Sequence, residues 1–407
     1  MLEFITLELA QKLILERIAP VKSEELLLEQ TLGRVLAQEV RASLDIPPFD
    51  RSPLDGYAVR GEDLIGDCPI TLQVIGEAPA GSPFIGEVKQ GTSIKILTGS
   101  PLPKGANAVV RQEDTEEKFG QVKIHQGVKP GSNISRQGED ISAGEVLFKP
   151  GTEITPAVLG ILASQGIAKI PVYTKPRIAV ASSGDELRNV GSELGPGQIY
   201  NSNYYTLSGM IREWGGEPVG LCLSQDKAEE LGKVINSGLD QADLVVTTGG
   251  ASVGEYDVTL RALVRAGAKP LFWRVALKPG TPVLCGEKQG KLILGLSGNP
   301  AAAMISAALL LGPAVRKLAG FTQYFPKKAL TLSNASFNRT SGVTRLIRAT
   351  VKADNAGLLA VFPDQQQPGV LKSMLGTNAL VSVPAGSTLE TGERCTAYLL
   401  KEWEEEA

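Results

Sequence analysis

The sequence predicts a multidomain protein that combines an α/β domain with separate all-β parts. Three observations support this fold class. The 407 residues exceed what one ordinary hydrophobic core can organise. Residues 45–141 and 326–400 consist of short β-branched runs separated by Gly and Pro turns. Between residues 175 and 325, continuous apolar runs alternate with helical segments.

Residues 1–44 are predicted to form two helices. Charged residues spaced among the leucines that follow Thr6 indicate an amphipathic helix with Thr6 as its N-cap, and not a signal peptide. Ser23-Glu24-Glu25 is typical of a helix start and predicts a second helix over residues 26–36. A further helix is expected at residues 155–165.

The middle and C-terminal parts show two strand patterns. Continuous apolar runs followed by helical segments predict a doubly wound α/β domain, whereas alternating runs predict a small β module and a C-terminal β-barrel with a turn at Asp354-Asn355. The predicted strands of the β module are 71–75, 93–97, 108–111 and 121–125. The α/β domain is predicted to have strands 177–181, 243–247 and 291–296 and helices 202–214, 228–239, 258–266 and 301–318. The predicted strands of the barrel are 329–337, 343–352, 358–362, 379–383 and 394–400.

Composition excludes several classes of function. A net charge of -3 provides no concentrated basic surface for nucleic acid. The longest apolar stretch, residues 301–311, is shorter than the roughly 20 residues that cross a bilayer, so we expect a cytoplasmic protein without a membrane span. Four scattered cysteines and a single histidine, His125, argue against a zinc site or a disulfide framework. We expect buried thiols and a surface His125.

Two glycine-rich loops follow strands that should end at the same edge of the sheet. The first runs from Thr248 to Asp257, and its glycines allow the backbone to approach a ligand closely. The second contains Asn299 as a predicted N-cap and Pro300 as the first helical residue, so that free N–H groups would point at an anion. Each loop alone could be only a tight connection, but two at equivalent strand ends favour an anion site.

Charged residues near these loops suggest how a phosphate could be held. If residues 272–280 form one strand, Arg274 and Lys278 project from the same face; two surface cations are an equally supported interpretation. Loop carboxylates are usually solvated, but several beside a phosphate would repel it and require a divalent cation. Oxygen ligands in a chain with one histidine favour Mg²⁺. The loop acids are Asp55, Glu139, Asp140, Asp185, Glu186, Asp226, Glu255 and Asp257.

A series of short motifs runs along nearly the whole chain. The motifs are Pro48-Phe49-Asp50-Arg51-Ser52, Leu54-Asp55-Gly56-Tyr57-Ala58, Thr98-Gly99 through Pro103, Gly131-Ser132-Asn133-Ile134, Gly138-Glu139-Asp140, Ser183-Gly184-Asp185-Glu186-Leu187, Ile199-Tyr200-Asn201-Ser202-Asn203, residues 247–257, Lys278-Pro279-Gly280 and Gly298-Asn299-Pro300. In this order they resemble the molybdopterin molybdenumtransferase (MoeA) family, which includes the E domain of gephyrin.

The resemblance implies four domains and a homodimer. They are a helical base from residues 1–44 and 142–174, an inserted β module over 45–141, a three-layer α/β domain of the MogA-like type over 175–325, and a C-terminal β-barrel over 326–407. It further implies active clefts that join the β module of one subunit to the α/β domain and barrel of the other. The implied substrates are molybdate and adenylylated molybdopterin, with Mg²⁺ as cofactor, AMP as product, and a molybdopterin adenylyltransferase as partner.

The resemblance also implies roles for the residues of this sequence that occupy the family's motif positions. As catalytic residues the resemblance implies Glu186, Asp226, Asp257, Lys278, Asp55 and Asp140, and Glu186, Asp226 and Asp257 as the metal ligands. As substrate-binding residues it implies Thr98, Gly249, Gly250, Ser252, Arg274, Gly298, Asn299 and Pro300.

Several positions depart from the family pattern, namely Pro53-Leu54, Ser135, Thr281, Ser297 and Gln367-Pro368-Gly369. Two functions other than metal insertion are compatible with parts of the sequence. The α/β domain alone also resembles the family that adenylylates molybdopterin, but the four-part length favours metal insertion. A non-catalytic scaffold that binds a pterin or a protein is the other alternative, and the retention of every acidic residue argues against it.

Overall fold

The computed structural model of the chain describes residues 1–224, 226–249, 256–354, 357–401 and 404–405. The chain divides into two compact units. The first comprises Met1–Ala37, Pro150–Thr155 and Lys169–Ala407, and the second comprises Gln38–Lys149 and Pro156–Ala168. The first unit therefore contains both the α/β domain and the C-terminal barrel.

A seven-stranded sheet forms the centre of the first unit. In spatial order its strands are Leu2–Ile5, Lys269–Val275, Leu284–Lys288, Lys291–Leu296, Leu244–Thr248, Arg177–Ser183 and Glu217–Ser224. The three predicted strands lie side by side and parallel, which confirms that prediction. Leu284–Lys288 runs antiparallel to both its neighbours, joined to one of them by a tight turn at Gln289-Gly290.

Four helices cover the sheet where the sequence predicted them. They are Ser202–Glu213, Ala228–Gln241, Tyr256–Arg265 and Pro300–Leu318, and the last is called the long helix below. The long helix includes a π-helical segment, Ala307–Leu311, where Gln11 donates a hydrogen bond to the carbonyl of Leu309 at 2.9 Å. By length and composition this helix could cross a membrane, but 83% of its apolar window is buried inside the protein, as in a core helix.

The N-terminal segment is partly as predicted. Thr6 caps helix Leu7–Leu15 by accepting a hydrogen bond from Leu9 N, which confirms the predicted first helix. The predicted second helix over residues 26–36 is wrong. Strand Ser23–Leu27 pairs antiparallel with Lys169–Tyr173 instead, and a short 3-10 turn follows. Gly33, with a φ of 73°, has a left-handed conformation that a helix interior does not accommodate.

Replacement of Ile14 by alanine should show that this N-terminal helix belongs to the core of the first unit. Ile14 is fully buried among strand residues such as Ile178 and Phe272. Loss of its side chain should lower the free energy of unfolding by about 2–5 kcal/mol. The control, Leu9→Ala, alters a side chain that is 38% exposed on the same helix and should cost much less. Equal losses in urea denaturation would contradict this packing.

The C-terminal part of the first unit is a five-stranded barrel, as predicted. Its strands are Lys327–Ser333, Thr344–Asp354, Gly357–Val361, Ala379–Val383 and Arg394–Leu399. Pairing of Thr344–Asp354 with Ala379–Val383 closes the barrel. Of the predicted turn, Asn355 lies outside the described residues. The barrel core is a compact set of small and medium apolar side chains such as Ala349, Val351 and Val381.

The second unit is built on a six-stranded sheet. In spatial order its strands are Ala108–Arg111, Gly56–Val59, Thr92–Ile96, Ile70–Ala78, Gln121–Ile124 and Thr115–Lys118. Four strands and helix Pro156–Ser164 confirm the prediction, whereas Gly56–Val59 and Thr115–Lys118 were missed. Gly56 is required because a Cβ there would lie 1.9 Å from the carbonyl oxygen of Val110 on the neighbouring strand.

The described cysteines are free thiols, and the histidine lies on the surface. Cys285 and Cys395 are buried free thiols, as predicted, whereas Cys68 is half-buried. The side chain of Cys222 lies outside the described residues. His125 is exposed, 4.0 Å from Glu116, as predicted for a surface residue.

Candidate active site

A cavity of about 460 Å³ lies where the three predicted parallel strands, Arg177–Ser183, Leu244–Thr248 and Lys291–Leu296, end. Since neighbouring parallel strands end at one edge of a sheet, the loops after Ser183, Thr248 and Leu296 meet there. The cavity is lined by Ser183, Glu186, Leu187, Ile199, Tyr200, Asn201, Ser202, Asn203, Asp226, Thr248, Gly249, Ser297, Gly298, Asn299, Pro300 and Gly369. Its volume is within the usual range for a small-molecule site.

Gly249 of the first glycine-rich loop and Gly298 of the second lie against each other. Gly249 has a φ of 101°, and a Cβ there would lie 1.8 Å from the carbonyl oxygen of Ser183. A Cβ at Gly298 would lie 3.3 Å from Gly249 Cα. A side chain at position 249 would therefore clash with the end of strand Arg177–Ser183, and one at position 298 would pack tightly against Gly249. The close approach of this backbone to a ligand stays a prediction. Gly250 and Ser252, predicted in the same loop, lie outside the described residues.

A buried polar network joins the strand ends below the cavity. Ser182 Oγ lies 3.1 Å from Asn201 Oδ1 and 3.2 Å from Thr248 Oγ1. Asn201 also caps helix Ser202–Glu213 by accepting from Tyr204 N, and Asn203 Nδ2 donates to the carbonyl of Gly298 at 2.9 Å. Neither asparagine was predicted individually as a site residue, although an asparagine directly before a helix is a recognisable N-cap signal.

Two of the predicted acidic residues come together at the cavity. Glu186 and Asp226 both line it, and Asp226 Oδ1 accepts a hydrogen bond from Ser183 Oγ at 2.5 Å. Asp185 does not line the cavity, but its Oδ1 accepts from Asp226 N at 3.4 Å. Asp257 is the second residue of helix Tyr256–Arg265, and its side chain lies outside the described residues.

The predicted cations are arranged differently from the expectation. Strand Lys269–Val275 ends before Lys278, which belongs to a short strand paired with the barrel. Arg274 has a φ of 66° and stacks on the ring of Trp273, 4.2 Å from its centroid. Arg274 and Lys278 therefore do not share a strand, so the predicted common face is wrong. Neither residue lines the described part of the cavity.

The N-terminus of the long helix also differs from the prediction. Asn299 occupies the N-cap position and Pro300 the first turn, but the Asn299 side chain makes no capping hydrogen bond. The carbonyl oxygen of Pro368, from the barrel, instead accepts hydrogen bonds from Ala301 N at 3.1 Å and Ala302 N at 3.3 Å. The N–H groups that were expected to face an anion are thus occupied by a backbone carbonyl.

The second unit holds a separate polar cluster. Asp55 Oδ1 accepts hydrogen bonds from both the backbone N and Oγ1 of Thr98, each at 2.7 Å. These bonds, the backbone one first, hold the pKa of Asp55 below its usual value, so that the carboxylate stays charged to lower pH than an ordinary aspartate. Both residues line an open cavity with Arg111 and Asn133, whereas Asp140 is exposed and does not line it.

Three family models match successive parts of the chain. The model described as the MoeA N-terminal region (domain I and II) matches residues 5–166. The model described as a probable molybdopterin binding domain matches residues 179–317, which include the strand-end cavity except Gly369. The model described as the MoeA C-terminal region (domain IV) matches residues 333–400.

Similar proteins cover nearly the whole chain. The molybdopterin molybdenumtransferase of Staphylococcus epidermidis is 35% identical over 94% of this chain and 92% of its own length, and that of Haemophilus influenzae is 38% identical over 79% of each. The crystal structure of the molybdopterin biosynthesis MoeA protein from Pyrococcus horikosii matches with a TM-score of 0.83 and 31% identity, covering 98% of this chain and all of that one. The chain belongs to the molybdopterin molybdenumtransferase family.

Proposed function

We propose that this protein inserts molybdenum from molybdate into adenylylated molybdopterin and releases AMP. The observation that carries the proposal is the cavity at the strand ends, which combines amide and hydroxyl groups with two carboxylates. A nucleotide and a pterin both present the hydrogen-bonding edges that such groups recognise. The match of this part of the chain to a probable molybdopterin binding domain supports the assignment.

The charge of the cavity fits a divalent cation. Among the described lining residues there are two carboxylates, Glu186 and Asp226, and no lysine, arginine or histidine. The described residues contain no group of three or more potential His, Cys, Asp or Glu ligands, but Mg²⁺ is commonly held by one or two carboxylates together with substrate phosphate. Glu186 and Asp226 would hold Mg²⁺, with Asp257 as the third ligand implied by the family resemblance. Bound there, Mg²⁺ would neutralise charge on the phosphoanhydride.

The protein's own groups place the reacting parts. Ser183 fixes the Asp226 carboxylate, and Asn203 holds the Gly298 turn by its carbonyl. These restraints reduce the motion of the groups that would contact phosphate, and a fixed geometry lowers the entropic cost of reaching the transition state. Arg274 and Lys278 remain proposed ligands of molybdate or phosphate.

The Asp55–Thr98 pair of the second unit is proposed to serve the same reaction. Its hydrogen bonds keep a charged carboxylate and a hydroxyl in one fixed orientation beside an open cavity, as a substrate contact requires. Asp140 is proposed to contribute on the strength of the resemblance alone. We further propose that the protein acts in the cytoplasm as a homodimer and receives its substrate from a molybdopterin adenylyltransferase.

A direct assay tests this proposal. Purified protein supplied with adenylylated molybdopterin, Mg²⁺ and molybdate should release AMP, and omission of molybdate should abolish the release. AMP and the molybdenum-loaded pterin can be quantified by chromatography. Binding of the substrate without any release would favour a non-catalytic scaffold, and absence of both binding and release would refute the proposed function.

A further inference from the structure

One aromatic residue stands among the described residues that line the strand-end cavity. Tyr200 lines the cavity and is 42% exposed. Leu187 and Ile199 line it as well, and they are adjacent because their backbones pair across two short strands. The other described lining residues are polar, acidic, glycine or proline. Tyr200 and its two neighbours therefore supply most of the large apolar side chains of the described wall.

The backbone of Tyr200 is held on both sides. Strands Leu187–Arg188 and Ile199–Tyr200 pair in parallel. The residue before Tyr200 donates from its backbone N to the carbonyl of Glu186 at 2.9 Å, and the residue after it donates to the carbonyl of Arg188 at 3.0 Å. These bonds fix the position of Tyr200 relative to Glu186, which is one of the two acidic residues of the cavity.

The side chain of Tyr200 is tethered at its far end. Its hydroxyl donates a hydrogen bond to the carbonyl of Ser192 at 2.8 Å. Ser192 belongs to a turn in which both its backbone N, at 3.2 Å, and its Oγ, at 2.8 Å, donate to the carbonyl of Asn189. The ring is thus held at both ends while much of its surface stays exposed. Because a ring held in this way has little conformational entropy to lose, it can contact a ligand at low cost.

We propose that the ring of Tyr200 stacks on a flat heteroaromatic ring of the substrate, the adenine or the pterin. The inference rests on the proposed function, since that function supplies such a ring. Every heteroaromatic ring presents a π-face, and stacking on tyrosine requires no particular hydrogen-bonding pattern. Glu186 then serves the phosphate end of the substrate through Mg²⁺, and Tyr200 serves the ring end. Tyr200 is therefore a substrate-binding residue.

Two variants and three probes test this inference by calorimetry. The probes are AMP with Mg²⁺, pterin-6-carboxylate, and ribose 5-phosphate with Mg²⁺, which has the phosphate and the sugar but no ring to stack. Tyr200→Ala should raise the Kd for AMP, for the pterin or for both roughly 5- to 100-fold and leave the Kd for ribose 5-phosphate unchanged. The probe that loses affinity identifies the stacked ring. Tyr200→Phe keeps the aromatic ring and should bind all three probes nearly as the wild type does.

The matched control is Tyr205→Ala. Tyr205 is 50% exposed on helix Ser202–Glu213 and does not line the cavity, so its loss should change none of the three Kd values. A tyrosine that only closes its loop through the hydroxyl predicts equal losses in Tyr200→Ala and Tyr200→Phe, because both variants lack that hydroxyl.

Four results would overturn the stacking role. They are equal losses in the two Tyr200 variants, an equal loss for ribose 5-phosphate, unchanged affinity of Tyr200→Ala for both ring compounds, and failure of the wild type to bind either of them. Failure of the proposed function has a different signature. The wild type would then bind a ring compound through Tyr200 but release no AMP in a molybdate-dependent reaction.

Discussion

Replacement of Gly249 by alanine is expected to abolish measurable AMP release and to destabilise the first unit. The φ of 101° disfavours any residue with a side chain, at a cost of about 1–2 kcal/mol. A Cβ would also lie 1.8 Å from the carbonyl oxygen of Ser183, so the loop must shift, which adds about 1–3 kcal/mol as overpacking does. The shift would move Thr248 and separate the two loops that form the cavity wall.

Urea denaturation and the AMP-release assay measure these two effects independently. The control is Gly160→Ala, because Gly160 lies within helix Pro156–Ser164 and a Cβ there meets nothing within 4 Å. The control should be neutral or stabilising by roughly 0.5–1 kcal/mol, as for glycine in a helix interior. A Gly249→Ala protein with wild-type stability and activity would show that the Ser183–Gly249 contact does not exist.

The variant Asp226→Asn is expected to lower the rate of AMP release roughly 100-fold or more while leaving stability nearly unchanged. The amide is isosteric and its oxygen can still accept from Ser183 Oγ, so the loop geometry is retained. Its charge is lost, however, and one of the two carboxylates among the described lining residues becomes neutral. The Mg²⁺ concentration needed for half-maximal activity should therefore rise as well.

A matched charge change separates this local effect from the net charge of the protein. Asp240→Asn removes one negative charge from helix Ala228–Gln241, away from the cavity lining. AMP release and its Mg²⁺ dependence should be unaltered in that protein. If both variants lost activity equally, or if Asp226→Asn retained it, Asp226 would have no direct part in the reaction.

The sequence predicted the elements that have a strong local signal. Strands such as Leu244–Thr248 are continuous apolar runs because they are buried on both faces, and Thr6 is an unambiguous N-cap. The second N-terminal helix failed because pairing of Ser23–Leu27 with Lys169–Tyr173 involves residues about 145 positions apart. Local propensity carries no information about such a partner.

The sequence predicted which residues form the site better than it predicted their positions relative to one another. Glu186, Asp226, the described start of the first glycine-rich loop and the Gly298 turn do meet at one cavity, since the carboxyl ends of neighbouring parallel strands lie at one edge of the sheet. The capping of the long helix by Pro368 could not be predicted, because the contact spans two domains that fold from separate stretches of sequence. Arg274 has a left-handed backbone conformation, which interrupts the regular alternation of side chains along a strand. The prediction that Arg274 and Lys278 project from the same face depended on that alternation.

Binding of AMP in the presence and absence of Mg²⁺ tests the central claim most directly. Two carboxylates without a basic neighbour among the described lining residues should repel a phosphate unless a divalent cation is present. Calorimetry should therefore show at least roughly tenfold tighter binding with Mg²⁺ than in EDTA, and Asp226→Asn should lose most of that difference. Equal affinity in Mg²⁺ and EDTA would contradict the account.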